Sequence, residues 1–388
     1  MGIISAIGNS VAENHQNLVN AVCGIRNEFD LFPTKYSGLL PFGQIRISTD
    51  ELIETLNISE PGVTRTSLLA LYAFNEILAD AGLSLADLRS SETGLIGAST
   101  VGGMCLTDEL YADANKSSNG SPYTSSYDCA SVNIFLQKHF RMNGIINTIN
   151  TACSSSANSI MYGAMLIKNG FAKRSIVGGV DSLAKYTING FNALHILSPE
   201  KCTPFDKNRR GLNLGEGAAF LLLEREEDIA GKKVYAELTG FCNSNDAYHP
   251  SSISDEGNGP FLSMQGALTN AKLSPEQISF INAHGTGTEN NDETESRAMI
   301  RLFKEPPPFS STKAYTGHTL GAAGAVEAVY SILSLVHQEV YPNLHFKSSI
   351  PSTGLTPVLA YKKMPVKHVM SNSFGFGGTC SSLIFSKV

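Results

Sequence analysis

Residues 217–224, GAAFLLLE, are apolar up to their closing glutamate, and the charged stretch EREEDIAGKK runs on from it. A short continuous apolar run bounded by charge reads as a β-strand buried on both faces. Such a strand has no solvent face, so helices must cover its sheet on each side. The rest of the chain supplies them. Residues Arg65–Ala81 place Leu68, Leu69, Leu71, Tyr72 and Phe74 on a helical pattern that closes in the turn-like DAGLS. Strand-like runs at 94–98, 175–180, 234–242 and 280–283 alternate with such helices, and runs at 369–372 and 383–386 flank FGFGGT as a hairpin. The alternation predicts an α/β fold with mostly parallel sheets. A chain of 388 residues is long enough for two substructures. Residues 225–233 mark the seam, across which no sequence repeat is visible.

The same sequence removes several function classes. A formal net charge of −6 opposes nucleic acid as a general partner. Seven cysteines, odd in number and with no CxxC pair, fit neither a zinc site nor a disulfide framework. The N-terminus lacks a basic region before its short apolar stretch, and no run of 18 uncharged apolar residues occurs. The expectation is a reduced, soluble, cytoplasmic protein with no membrane partner.

A strand-like run at 145–150 meets Cys153, and a helical pattern starts at once through Ala157, Ile160, Met161 and Ala164. Free N–H groups at a helix start carry partial positive charge, which favours a thiolate and can also hold an oxyanion. The thiol therefore reads as a nucleophile for acyl transfer at the joint of a buried strand and a helix. The alternative is a small buried hydrophobe. In INAHGTGTENNDETES, His284 sits on a Gly/Thr loop at a strand's C-terminal edge, where ligand groups of open α/β sheets gather. In SSTKAYTGHTLGAAGAVEAVYSIL, Lys313 and His318 precede a small-residue helix carrying Glu327, which needs a partner such as Lys313 or a histidine if buried. The two histidines lie 34 positions apart without metal-ligand spacing, and a Cys–His hydrolase stays open for Cys153. In SNSFGFGGTCSS, Gly375, Gly377 and Gly378 surround Phe376, as a tight turn or as a loop that approaches a ligand closely.

Together TACSSS, HGTGT followed by Asp292 and Glu295, KAYTGHTLGAAGAVEA, NSFGFGGT and CTPFDKNRRGLNLGEGAAFLLLE resemble the β-ketoacyl-acyl carrier protein synthases of elongation type, synthase II-like members of the thiolase-like superfamily. The resemblance covers nearly the whole chain. It implies a thiolase-like fold of two similar halves, 1–225 and 226–388, in five layers αβαβα with mixed sheets. It implies that Cys153 takes an acyl group from a carrier protein as a thioester, and that His284 and His318 hold the malonyl thioester carbonyl while CO₂ leaves. Lys313 and Glu327 would support them, the backbone N–H groups of Cys153 and Phe376 would form an oxyanion hole, and Phe376 between Gly375 and Gly377 would act as a gate. No metal and no cofactor is implied, because the substrates bring phosphopantetheine on the carrier.

The implied partners are an acyl carrier protein, its malonyl form, and a second subunit in a homodimer, with a heterodimer beside a chain-length partner as the alternative. An acidic carrier needs a basic dock. Lys207, Arg209, Arg210 and Arg65 are the candidates, with Lys138 and Arg141 further off, and Arg210 stands where the family usually has an acidic residue. Val101, Met104 and Tyr162 are expected along the acyl channel. The pathway stays open between fatty acid and polyketide or polyene. The chain opens with only the end of the family's first strand, so either its start is assigned late or a sheet lacks part of an edge or central strand. Cys380 replaces the family's usual Asn.

Overall fold

The computed structural model describes residues 1–388 apart from 117, 119, 122 and 230. Two five-stranded sheets carry it. The first holds β1 (Gly2–Ser5), β2 (Thr93–Ala98), β3 (Ile146–Ile149), β4 (Arg174–Asp181) and β5 (Gly217–Glu224) in the order β1-β5-β4-β2-β3. The second holds β6 (Glu237–Asn245), β7 (Phe280–Asn282), β8 (Phe309–Ser310), β11 (His368–Gly375) and β12 (Thr379–Ser386) in the order β6-β12-β11-β7-β8. The short strands β9 (Glu339–Val340) and β10 (Lys362–Lys363) pair separately.

Numbered within its own half, each sheet has the strand order 1-5-4-2-3. In each, the first two pairings in that order are antiparallel and the last two parallel. The two halves therefore repeat one topology that the sequence did not display. The sheets are mixed, not mostly parallel, because the fifth strand of each half runs back antiparallel beside the fourth.

Helices fill three layers around the sheets. Arg65–Ala81 covers the outer face of the first sheet, and Asn258–Ala271 with Glu289–Phe303 covers that of the second. Between the sheets, Ser155–Lys168 packs on β2 and β4, and Ala323–His337 packs on both β5 and β11 and against Ser155–Lys168. This is the expected αβαβα stack. One apolar cluster runs through its centre, joining Ile3, Val177 and Leu221 to Val329, Val369 and Leu383. The stretch Leu320–His337 is apolar enough by composition to cross a membrane, but 89% of it is buried inside this stack.

Small residues explain the close packing of the two central helices. A Cβ on Gly324 would stand 2.7 Å from the Ala157 backbone nitrogen. The Ser156 hydroxyl accepts from the Ala325 N–H at 2.8 Å, tying the starts of the two helices together. Both helices begin at the C-terminal ends of their sheets' strands, and that puts their first turns at one place.

Two expectations need correction, and one open alternative is decided. The strand before Cys153 is not buried: β3 is an edge strand with one neighbour and a half-exposed face. Of the two alternatives left open for the short opening strand, the structure shows the edge. β1 pairs with Gly217–Phe220 only, leaving the second half of β5 open on that side beside a cavity of about 860 Å³. Arg65 is not a docking residue. It is 7% exposed, and its guanidinium makes three hydrogen bonds to the Glu216 carboxylate, the shortest 2.7 Å, with further ones to the carbonyls of Ile45 and Ile47. Glu216 also accepts from the Ile45 and Leu183 N–H groups.

Removing one member of such a pair leaves a buried charge alone, which costs about 3–5 kcal/mol. Arg65→Ala should lower unfolding stability by about that amount in urea titration. A loss below about 1 kcal/mol together with weakened carrier binding would return Arg65 to the surface role.

Candidate active site

Cys153 lies four residues beyond β3 and just before the helix Ser155–Lys168, whose N-cap is Ser154. The residue ahead of it, Ala152, has φ of 52°, a left-handed conformation that costs about 1 kcal/mol for a non-glycine. This sharp joint turns the thiol inward, where it is 7% exposed.

His284 follows β7 in the second half. The Glu295 carboxylate accepts from the backbone N–H groups of His284 and Gly285, both at 2.9 Å, and from the Asn372 side chain at 3.2 Å. It thereby fixes the loop that carries the imidazole. His318 precedes the central helix, its backbone N–H bonded to the Asn213 carbonyl at 2.7 Å. The buried Asp181 carboxylate, at the end of β4, ties that helix start to the loop after β2. It accepts from Gly321 N–H at 2.7 Å, from Val101 N–H at 2.8 Å and from the Ser99 hydroxyl at 2.8 Å.

The Cys153 sulfur and one nitrogen of each imidazole lie within 4.8 Å of one another. The two rings meet edge to face with centroids 5.4 Å apart. Their tautomers follow from their other contacts. His318 Nδ1 accepts the Leu320 N–H at 3.1 Å, so its proton is on Nε2. The Lys313 ammonium lies 3.2 Å from His284 Nδ1, donates to the His284 carbonyl at 2.6 Å and pairs with Glu327. That contact likewise leaves the hydrogen of His284 on Nε2. His318 Nε2 is buried and has no hydrogen-bond partner among the described residues. Each ring is thus left with an N–H donor to offer beside the sulfur, an arrangement for a developing negative charge. Ligation of a metal would need imidazole lone pairs on that side instead.

Electrostatics keep these rings neutral. Burial first, then the Lys313 charge, holds both imidazoles well below the ordinary histidine range. Glu327 is pushed up to about 7 by burial, which the Lys313 pair opposes; Glu295 is also raised to about 7 by burial. The expected low thiol pKa is not found. Burial pushes the Cys153 thiol up to about 11, outweighing the Lys313 charge and the Phe376 N–H, so the resting sulfur is protonated.

The glycine loop closes over the thiol. A Cβ on Gly375 would stand 2.9 Å from the Thr151 carbonyl oxygen and 3.0 Å from the Cys153 nitrogen. Gly377 has φ of 81° and donates its N–H to the Pro250 carbonyl at 2.7 Å. The Phe376 ring stacks on Phe191, centroids 5.8 Å apart, and both line a cavity of about 470 Å³ that reaches Cys153, His284 and His318. Cys380 is buried behind this loop against Ile253 and Phe374, its thiol donating to the Gly378 carbonyl at 3.5 Å.

The other candidates separate. Arg209 is buried: it donates to the carbonyls of Asp206, Thr288 and Glu289, and lies 4.0 Å from Asp292. It braces the loop beside His284 and is no docking residue. Lys207 and Arg210 are exposed, and Arg210 lines the cavity. Lys138 and Arg141 are exposed at the end of the helix Ser131–Phe140, away from the cavity lining. Val101 and Met104 join Leu183, Ile188 and Phe191 in one apolar cluster, whereas Tyr162 packs in the core between the sheets. Sequence reading missed Phe191, Asp181, and the polar cavity wall of Thr286, Thr288 and Asn291. Only the two threonines had a signal, their alternation in HGTGT.

Two sequence-family models match the chain: the beta-ketoacyl synthase N-terminal domain over residues 1–229 and the C-terminal domain over 235–347. The chain is 32% identical over 416 residues to the 3-oxoacyl-(acyl-carrier-protein) synthase 2 of Vibrio harveyi, covering all of this chain and 97% of that one. It superposes on the ketosynthase ApeO in complex with its chain length factor ApeC from Xenorhabdus doucetiae with a TM-score of 0.83 at 33% identity, covering 100% and 96% of the two chains. It also superposes on AntDE:AntF, a type II polyketide acyl-carrier protein in complex with its ketosynthase bound to the hexaketide, with a TM-score of 0.87 at 25% identity, covering 100% and 98%.

Two outcomes follow from the geometry. With the thiol at about 11, the thiolate fraction at pH 7 is about 10⁻⁴, so alkylation of Cys153 by iodoacetamide should rise about tenfold per pH unit through pH 9.5. A rise that levels off above about pH 9 would mean an ordinary thiol, and a plateau by about pH 8 an activated one. Gly375→Ala should cut Cys153 acylation at least tenfold while leaving unfolding stability within about 2 kcal/mol, because the new methyl pushes the loop from the thiol; wild-type rates would show that the loop does not need this close approach.

Proposed function

The chain belongs to the β-ketoacyl synthase family, and we propose that Cys153, His284 and His318 carry out its reaction as nucleophile and paired hydrogen-bond donors. The enzyme is a 3-oxoacyl-acyl carrier protein synthase: it condenses an acyl thioester with a malonyl-carrier, releasing CO₂ and giving a 3-oxoacyl-carrier. The observation that carries the assignment of roles is a buried thiol beside two imidazoles whose Nδ1 atoms are engaged elsewhere, with His318 Nε2 buried and without a partner among the described residues.

In the first half-reaction the Cys153 sulfur attacks the carbonyl of an acyl-carrier thioester. The oxyanion is held by the N–H groups of Cys153 and Phe376; the carrier's sulfur leaves and takes up the proton that Cys153 gives up. Splitting the condensation this way replaces one hard step with two easier ones. In the second, the malonyl carboxylate departs as CO₂ and its electron pair moves onto the thioester carbonyl. His284 and His318 hold the resulting enolate oxygen. The enolate carbon attacks the Cys153 thioester carbonyl, the C–S bond breaks, and Cys153 takes one proton from solvent. A sulfur with a pKa of about 11 holds that proton firmly and returns to the resting state.

Lys313, paired with Glu327, keeps His284 neutral and oriented, and Phe376 with Gly375 and Gly377 gates the acyl side from the malonyl side. The halves meet at residues 225/226. The phosphopantetheine comes with the carrier, and no resident cofactor is invoked. The enzyme works with an acyl carrier protein and as a dimer. The open edge of β3 is the surface proposed for the second subunit. That subunit is a second copy or, as in the Xenorhabdus complex, a chain length factor.

Acyl-carriers of several chain lengths, mixed with the protein and followed by intact-chain mass spectrometry, should add one acyl group to Cys153, and none to Cys153→Ala. His318→Ala should still be acylated but should lose about 10²–10³-fold in elongation, the usual cost of one oxyanion donor. Acylation of Cys153→Ala, or elongation by His318→Ala at the wild-type rate, would overturn these roles.

A further inference from the structure

The cavity above Cys153 changes chemistry with depth. Its foot is the buried thiol and two imidazoles. Its wall is uncharged: beside the apolar Phe191, Leu212 and Ile253 it offers the buried Thr286 and Asn291, and the Thr286 hydroxyl bonds that of Thr288 at 2.8 Å. Its rim is exposed and carries Arg210, the imidazole of His195, the Ser251 hydroxyl and the Glu289 carboxylate.

Arg210 stands apart from its neighbour. Arg209 is buried and its donors are used by backbone carbonyls, whereas Arg210 makes a single ion pair with Glu200 at 3.3 Å, the two side chains 62% and 72% exposed. Such a pair is weak and easily exchanged. A guanidinium prefers the two-pronged geometry that a phosphate offers, and a charge-assisted hydrogen bond of that kind is stronger than an exposed surface pair. A cavity of about 470 Å³ lies within the range of about 300–1,000 Å³ that encloses small ligands.

We propose that the rim is a phosphate subsite in which Arg210 binds the phosphate at the far end of a pantetheine-type arm whose thioester rests at Cys153. The inference rests on the thioester reading above. It shifts the role of Arg210 from the carrier's protein surface to the arm itself. A phosphate on a free arm and one on a carrier-borne arm are then recognised alike, and the enzyme accepts acyl groups from the free arm. With Glu289 also at the rim, Arg210 is the group that makes the subsite attract a phosphate.

The test compares one acyl group on three donors: acyl-pantetheine, which has no phosphate, acyl-4′-phosphopantetheine, and the acyl-carrier. Charging of Cys153 is followed by mass in the wild type, Arg210→Ala and Arg210→Glu. The phosphate should raise kcat/KM for wild-type charging at least tenfold over acyl-pantetheine. Both variants should bring the ratio of acyl-4′-phosphopantetheine to acyl-pantetheine charging close to one, and fall by a similar factor with the acyl-carrier. A loss confined to the acyl-carrier would make Arg210 a contact to the carrier protein and overturn the proposal. So would equal losses on all three donors, or none. Failure of the wild type to be charged by any donor would be a different result, because it removes the synthase reading itself.

Discussion

Two hydrogen bonds behind the imidazoles govern this site. The Leu320 N–H occupies His318 Nδ1 and the Lys313 ammonium occupies His284 Nδ1, so each ring is left with an Nε2–H to offer beside the sulfur. Without those bonds the rings could present lone pairs, and the same three residues would suit a metal ion or a proton acceptor. The Lys313 charge also disfavours a second positive charge nearby, which keeps the rings neutral in a buried pocket. Burying that lysine requires Glu327, and burying Glu327 requires the apolar helix it stands on. The ion pair is therefore better read as a device for orientation than as a source of stability.

The duplicated topology explains how residues so far apart in sequence meet. Cys153 comes from the loop after the third strand of the first half, while His284 and Lys313 come from loops after the second and third strands of the other. The two central helices start at the same level and are held together through Ser156 and Ala325. A hairpin turn from the end of the chain, residues 375–379, then lies across the joint, with the Thr379 hydroxyl donating to the Thr151 carbonyl at 3.0 Å. The reactive centre thus belongs to neither half alone.

Much of this was legible where function is local in sequence. Cys153 at a strand–helix joint, His284 on a Gly/Thr loop and Lys313 ahead of His318 each announce themselves within about ten residues. The helix Arg65–Ala81 was read with both ends as observed. What failed depends on distant packing. Arg65 and Arg209 look like any surface cation until Glu216, 151 positions away from Arg65, and the loop at 286–289 bury them. The thiol's raised pKa arises because the far hairpin and the central helices bury it. The repeat of strand order leaves no trace in sequence, since a sheet needs only apolar runs of adequate length and the same topology can be built from different ones. Phe191 is half-buried on a short helix, and only its stack with Phe376 marks it.

The tautomers and charges of His284 and His318 in the resting enzyme are the most direct measure of the site's logic. Nitrogen-15 NMR of histidine-labelled protein, with single His284→Ala and His318→Ala variants for assignment, reads both at once. From pH 6 to 8 both rings should be neutral, protonated on Nε2 and unprotonated on Nδ1, with no titration in that range. An imidazolium at neutral pH, or a proton on Nδ1 of either ring, would mean that the groups facing Cys153 are not a pair of neutral donors.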